Sequence, residues 1–190
     1  MFLDGDGTIF DSPKAFCKVY NHLYKNYNDF IPANPDLLNS WDFHDICPLL
    51  YKYKNHTVEE IFGMKELFDN LELFPNAYEV LKELSKKYEL WLATIGTDDN
   101  LFNKIPYIKY KLPFIKNKLY INNSNSKMDK CILSPPFAPF NSIFIDDVYS
   151  NLISANVQYK YCFGKVYSFN EEWQGQRLYN YVDVANKFLR

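Results

Sequence analysis

Three short apolar runs in this chain each end in a polar cluster. "FL" leads into Asp4-Gly5-Asp6-Gly7, "ELWLAT" into Thr94-Ile95-Gly96-Thr97, and "SIFIDD" closes on Asp146 and Asp147. Runs this short and this apolar read as buried strands. Helical patterns separate them, which favours a parallel sheet covered on both faces. In such a sheet, ligands bind beyond the carboxyl ends of the strands. The expected class is therefore α/β, a Rossmann-like parallel sheet flanked by helices, with the three polar clusters meeting at one edge.

The intervening patterns fill in the rest. Ser12 and Pro13 read as a cap and a first helical position, followed by Phe16, Val19, Tyr20 and Leu23 at helical spacing. The stretch from Asn28 to Leu50 is rich in Pro, Asn and Asp and reads as a loop with short helical turns. Thr57 and Glu60 form a capping-box pattern opening a helix that carries Ile61, Met64 and Phe68. A third helix sets Ala77, Val80, Leu81 and Leu84 on one face. "KLYIN" and "YKYCFG" add strands, and "YNYVDVANKFLR" reads as a closing helix.

Composition narrows the function. The length of 190 residues suits one sizeable core with a small subdomain, and the net charge of −2 leaves no basic footprint for nucleic acid. No apolar stretch approaches membrane-spanning length and no signal segment opens the chain, so a cytoplasmic protein is expected. Cys17, Cys47, Cys131 and Cys162 lie far apart without metal-ligand spacing and read as small core groups. His44 and His56 read as surface residues.

Two or three carboxylates gathered at a sheet edge need a cation, and a hard ion such as Mg2+ takes oxygen ligands together with water and substrate phosphate. Asp4 would then be a nucleophile of the aspartyl-phosphate kind. Asp6, two residues on, would protonate a leaving alcohol and later activate water. Gly5 and Gly7 would let the turn approach the phosphate. Thr94 would donate its hydroxyl to a phosphoryl oxygen, and a lysine would neutralise the remaining charge.

"DGDGT" matches the DxDGT signature of the haloacid dehalogenase superfamily of phosphatases. Thr94 at a strand end, a downstream lysine and "IDDVYSN" resemble that superfamily's later motifs in order. The segment "ELFDNLELFPNAYEVLKELSKKYELWLAT", with "IPYIKYKLPF" and "FNEEW", is similar to the 5′(3′)-deoxyribonucleotidase family. The resemblance implies a core of residues 1–11 and 75–190 and a helical cap of residues 12–74 inserted after the first strand. It implies Mg2+ held by Asp4, Asp147 and Asp146, with the main-chain carbonyl of Asp6. Asp4, Asp6, Thr94 and Lys130 would be the catalytic set, with Lys127 the alternative lysine. Gly7, Ile95 and Gly96 would face substrate; Ile95 stands where the family tends to have Ser, and Thr97 is a replacement hydroxyl. Trp41 and Phe43 are read either as cap core or as aromatics stacking on a base. Asn151 is read either as orienting the metal loop or as capping the helix that follows it, with capping preferred.

The implied activity is a 5′-nucleotidase acting on (deoxy)ribonucleoside monophosphates. A phosphatase for another small phosphoester such as a sugar phosphate stands beside it, as does a non-catalytic binding module of the same fold. The implied partner is a small phosphomonoester, with neither nucleic acid nor membrane, and a homodimer stays open.

Overall fold

A computed structural model describes residues 1–122 and 130–190. The chain begins with β1 (Phe2–Leu3), then runs through four helices, α1 (Ser12–Tyr24), α2 (Pro48–Tyr53), α3 (Val58–Gly63) and α4 (Lys65–Asn70). Helix α5 (Ala77–Leu84) leads to β2 (Trp91–Gly96), α6 (Asp98–Lys111) and β3 (Asn117–Asn122). A 3-10 turn at Lys130–Ile132 precedes β4 (Ile143–Asp146), α7 (Tyr149–Ser154), β5 (Tyr159–Phe163), β6 (Arg177–Leu178) and α8 (Tyr181–Phe188).

The strands pair in the order β3-β2-β1-β4-β5-β6, and every pairing is parallel. Register places Leu3 beside Leu92 and Ile145, so the residues that follow, Asp4, Ala93-Thr94 and Asp146, come out together at one edge. Alternate residues feed two hydrophobic clusters. Leu3, Leu92 and Ile145 pack with α1, α5 and α8 on one face. Phe2, Ala93, Phe144 and Cys162 pack with Leu133, Leu152 and Val157 on the other.

Residues 12–71 leave and rejoin the sheet at one neck. Asp11 N donates to Glu72 O at 2.9 Å, Phe74 N donates to Ile9 O at 3.0 Å, and Phe10 bridges Leu73. The helices of this excursion bury Phe16, Tyr20, Leu50, Ile61 and Leu67 against one another.

Several expectations need correction. Asp11, not Ser12, caps α1 by accepting from Lys14 N at 3.3 Å. The Ser12 hydroxyl is engaged elsewhere, at Asp6. The helix opened by the Thr57–Glu60 capping box ends at Gly63. Met64 turns extended with ψ 140°, and a separate α4 follows. Strand β2 runs on to Gly96 instead of turning at Thr94. Helix α6 was not anticipated, because Pro106 sits inside it and its buried face includes Asn100 and Lys104. Strand β6 is two residues long and too short to leave a pattern. Cys131 is exposed, whereas the other three cysteines are buried. No helix among the described residues is long and apolar enough to cross a membrane.

Leu81 is fully buried on α5 against the sheet. Leu81→Ala removes that packing and leaves a cavity, with an expected loss of about 3 kcal/mol. Urea unfolding should show a lower midpoint with an unchanged slope.

Candidate active site

The turn after β1 is built around one carbonyl. Gly5 O accepts from Thr8 N, Ile9 N and Phe10 N at 3.4, 2.8 and 2.9 Å. The turn needs both of its glycines. Gly7 has φ +74°, and a Cβ there would stand 2.4 Å from Asp147 Oδ2. A Cβ on Gly5 would stand 2.9 Å from Thr94 Oγ1. The loop is thus pressed against the ends of both neighbouring strands, and only hydrogen fits between.

Asp4 is 7% exposed at the end of β1, and Asp146 and Asp147 are buried at the end of β4. One carboxylate oxygen from each lies within 4.8 Å of the others. Lys130, fully buried, forms an ion pair with Asp4 and stands 3.5 Å from Asp146. It also donates to Ala93 O at 2.5 Å. Thr8 Oγ1 donates to Asp147 Oδ1 at 3.3 Å.

Charge is out of balance here. Burial pushes the Asp4 carboxyl up to about 7, with Lys130 pulling down and Asp146 pushing up. Burial raises Asp146 as well. Asp147 is held well above the ordinary carboxylate range by burial, then by Asp146 and Asp4. Burial works to lower the Lys130 ammonium, but Asp4 and Asp146 outweigh it and hold it high. Three buried carboxylates facing one lysine form an oxygen-only donor set with unmet negative charge, which suits a hard divalent cation.

A cavity of about 360 Å³ opens beside this cluster. Asp4, Asp6, Thr94 and Lys104 line it with polar groups, and Trp41, Val58 and Phe62 with apolar ones. Ile95, Gly96 and Thr97 line it too. Thr97 caps α6, accepting from Asn100 N at 3.3 Å.

Of the residues read from sequence, Asp4, Asp6, Thr94, Ile95, Gly96 and Trp41 all border the cavity. Asp146, Asp147 and Lys130 stand behind Asp4. Two of the residues expected to face substrate do not reach the cavity. Gly7 abuts Asp147 and borders a separate depression, because its role in the turn faces away from the opening. Phe43 is 1% exposed and stacks on Phe16 at 3.8 Å between centroids, so it is core. Lys127 lies outside the described residues. Asn151 sits inside α7 instead of capping it, and its amide donates to both oxygens of Asp146 at 3.1 Å.

Sequence reasoning missed Lys104 and Phe62. Lys104 is 1% exposed, and its ammonium is 2.5 Å from Asp6 Oδ2. It shares a helix face with Asn100 and Ile108, four residues either way. Its spacing from Leu101 and Ile108 is a weak local signal, in a helix that Pro106 disguises. Phe62 follows a capping box by two residues past Glu60, and nothing local marks which way it points.

No protein-family model matches the chain. It is 29% identical over 126 residues to the 5′(3′)-deoxyribonucleotidase of Bacillus subtilis strain 168, and equally to that of Bacillus phage SPbeta. The match takes in 65% of this chain and 66% of each relative, so just under two thirds of their length is spanned. Solved structures align along nearly the whole chain. A HAD-superfamily hydrolase of subfamily IA from Geobacter sulfurreducens superposes with TM-score 0.65 at 14% identity, covering 98% of this chain and 94% of that one. A haloacid dehalogenase-like hydrolase from Streptococcus pneumoniae gives 0.61 at 16%, covering 98% and 96%. A magnesium-bound chain from Bacillus subtilis, described as a HAD hydrolase, gives 0.61 at 12%, covering 98% and 96%.

The chain has the haloacid dehalogenase fold. The carboxylate cluster sits at the carboxyl edge of the central strands of that fold, where β1 and β4 lie side by side.

Raised carboxyl pKa values fix the sign of a pH effect. The folded chain holds these protons more tightly than the unfolded chain, whose carboxyls titrate near 3.8. Stability of the metal-free protein therefore falls as pH rises from about 4 through about 7. Thermal melts in EDTA should show a decline in Tm across that range, and Mg2+ should flatten it by binding the ionised folded state. A Tm that rises with pH in EDTA would contradict the charge imbalance.

Proposed function

We propose that this protein is a Mg2+-dependent phosphomonoesterase that works through an aspartyl-phosphate on Asp4, and that its substrates are (deoxy)ribonucleoside 5′-monophosphates. The observation that carries the reading is the buried Asp4, paired with Lys130 and grouped with Asp146 and Asp147, at the mouth of a cavity walled by Trp41 and Phe62. The 29% identity to 5′(3′)-deoxyribonucleotidases supports the substrate class.

Asp4, Asp146 and Asp147 would hold the metal, with the main-chain carbonyl of Asp6. The ion, when bound, neutralises the carboxylates and draws charge from the phosphoryl oxygens. A carboxylate oxygen of Asp4 attacks phosphorus, the bond from phosphorus to the ester oxygen breaks, and that oxygen takes a proton from Asp6. Water then attacks the phosphorus of the acyl phosphate and gives a proton back to Asp6. The bond to Asp4 breaks and inorganic phosphate leaves. Thr94 Oγ1 donates to a phosphoryl oxygen, and Lys130 pairs with Asp4 and favours its ionised form.

Residues 12–74 act as the cap in this reading and supply the wall that a base would meet. Two buried polar atoms of lining residues, Trp41 Nε1 and Asn100 Oδ1, have no hydrogen-bond partner among the described residues. A planar heterocycle with its own donors and acceptors would satisfy a donor and an acceptor so placed, and its face suits Trp41 and Phe62.

The test is phosphate release from nucleoside 5′- and 3′-monophosphates and sugar phosphates, with Mg2+ and with EDTA, beside Asp4→Asn. Release from nucleoside 5′-monophosphates that is lost in EDTA and falls by about 10⁴-fold or more in Asp4→Asn is expected. Release confined to sugar phosphates would overturn the substrate class. Turnover in EDTA, or none from any compound, would overturn the mechanism.

A further inference from the structure

Each carboxylate of the Asp4–Asp6 pair has its own buried lysine. Lys130 serves Asp4; Lys104, reaching in from α6, serves Asp6. The Lys104 ammonium has three donors, and three acceptors meet them: Asp6 Oδ2 at 2.5 Å, Ile95 O at 3.0 Å and Thr94 Oγ1 at 3.3 Å. No donor is left over for a substrate. The other oxygen of Asp6 accepts from Ser12 Oγ at 2.5 Å. Asp6 is thus gripped at both oxygens, yet its side chain is still 20% exposed and borders the cavity.

We propose that Lys104 is the positioning residue that aims the Asp6 carboxyl at the leaving oxygen and fixes its distance from the phosphate-facing Thr94. The inference rests on the phosphomonoesterase reading above. Its physical basis is orientation: Lys104 donates to Oδ2 of Asp6, which leaves Oδ1 to carry the proton in the acid form. The bonds to Ile95 O and Thr94 Oγ1 tie that same ammonium to the end of β2. One side chain therefore sets the geometry between proton donor and phosphate holder.

Saturated donors make Lys104 a residue that acts through Asp6, so its loss has a signature. Proton delivery matters for an alkoxide leaving group and far less for p-nitrophenolate, which departs unprotonated. The experiment measures kcat and KM, with Mg2+, for p-nitrophenyl phosphate and for the alkyl phosphate the wild type turns over best in the panel above. Lys104→Met should lower kcat/KM, which reports the steps through transfer to Asp4, about 100-fold for the alkyl phosphate, while that for p-nitrophenyl phosphate falls less than about fivefold and neither KM rises more than about threefold. Ser12→Ala removes the other grip and should split the two substrates in the same sense, more weakly. Lys104→Gln, with the same split expected, carries the test if Lys104→Met does not fold.

Equal losses on both substrates would make Lys104 a structural ion pair and overturn the proposal. A raised KM with kcat kept would make it a substrate contact and overturn it equally. Neither result touches the phosphatase reading. A wild type inactive on every compound would instead sink that reading and this inference with it, a pattern no variant can mimic.

Discussion

Mutual repulsion among Asp4, Asp146 and Asp147 is the constraint around which the carboxyl edge of the sheet is arranged. Three carboxylates within 4.8 Å and out of water are unfavourable in isolation. The chain offsets part of this with Lys130, seated under Asp4 and braced on Ala93 O, and part with dipoles: Asn151 and the Val148 N–H on Asp146, Thr8 on Asp147. The remainder is unmet negative charge, which suits a hard cation.

The same constraint explains the local backbone. Parallel pairing of β1 with both β2 and β4 brings three strand ends within side-chain reach. The loop after Asp4 must turn away at once, which it does by folding three N–H groups onto Gly5 O. Gly5 and Gly7 then occupy the gaps beside Thr94 and Asp147 that a Cβ would fill. Closing the gaps would push the strand ends apart and loosen the cluster.

Much of this was legible because the relevant signals are local. An apolar run ending in Asp-x-Asp or Asp-Asp carries the strand and its chemistry in the same few residues, so Asp4, Asp6, Thr94, Asp146 and Asp147 could be named and the fold class followed. Lys104 could not, because its partner Asp6 is 98 residues away and its helix is disguised by Pro106 and by polar residues on the buried face. Trp41 and Phe43 show the limit from the other side. They are two residues apart in a segment without regular structure, and tertiary packing alone sends one to the cavity and the other against Phe16. For Asn151 the capping preference fails for a similar reason: the helix starts two residues before it, so its amide turns back to the Asp146 loop, in line with the other reading.

Helix α6 gathers the features that sequence reasoning lost. Its N-terminal half meets the excursion of residues 12–74 through side-chain amides: Asn100 Nδ2 donates to Phe62 O at 2.6 Å and Asn103 Nδ2 to Gly63 O at 2.9 Å. These satisfy carbonyls at the end of α3, where the helix stops and leaves them without partners of its own. One turn on, Lys104 reaches the opposite way, to Asp6 and the end of β2. The helix therefore fixes the apolar wall at Phe62 and the carboxylate at Asp6 to the same rigid element. Asn100 and Lys104 do this from buried positions and Asn103 from a half-buried one, where apolar residues would have packed better but held nothing in place. That explains why the helix looks poor by hydrophobic pattern: its inner face is spent on aligning the wall of the cavity with its chemical end.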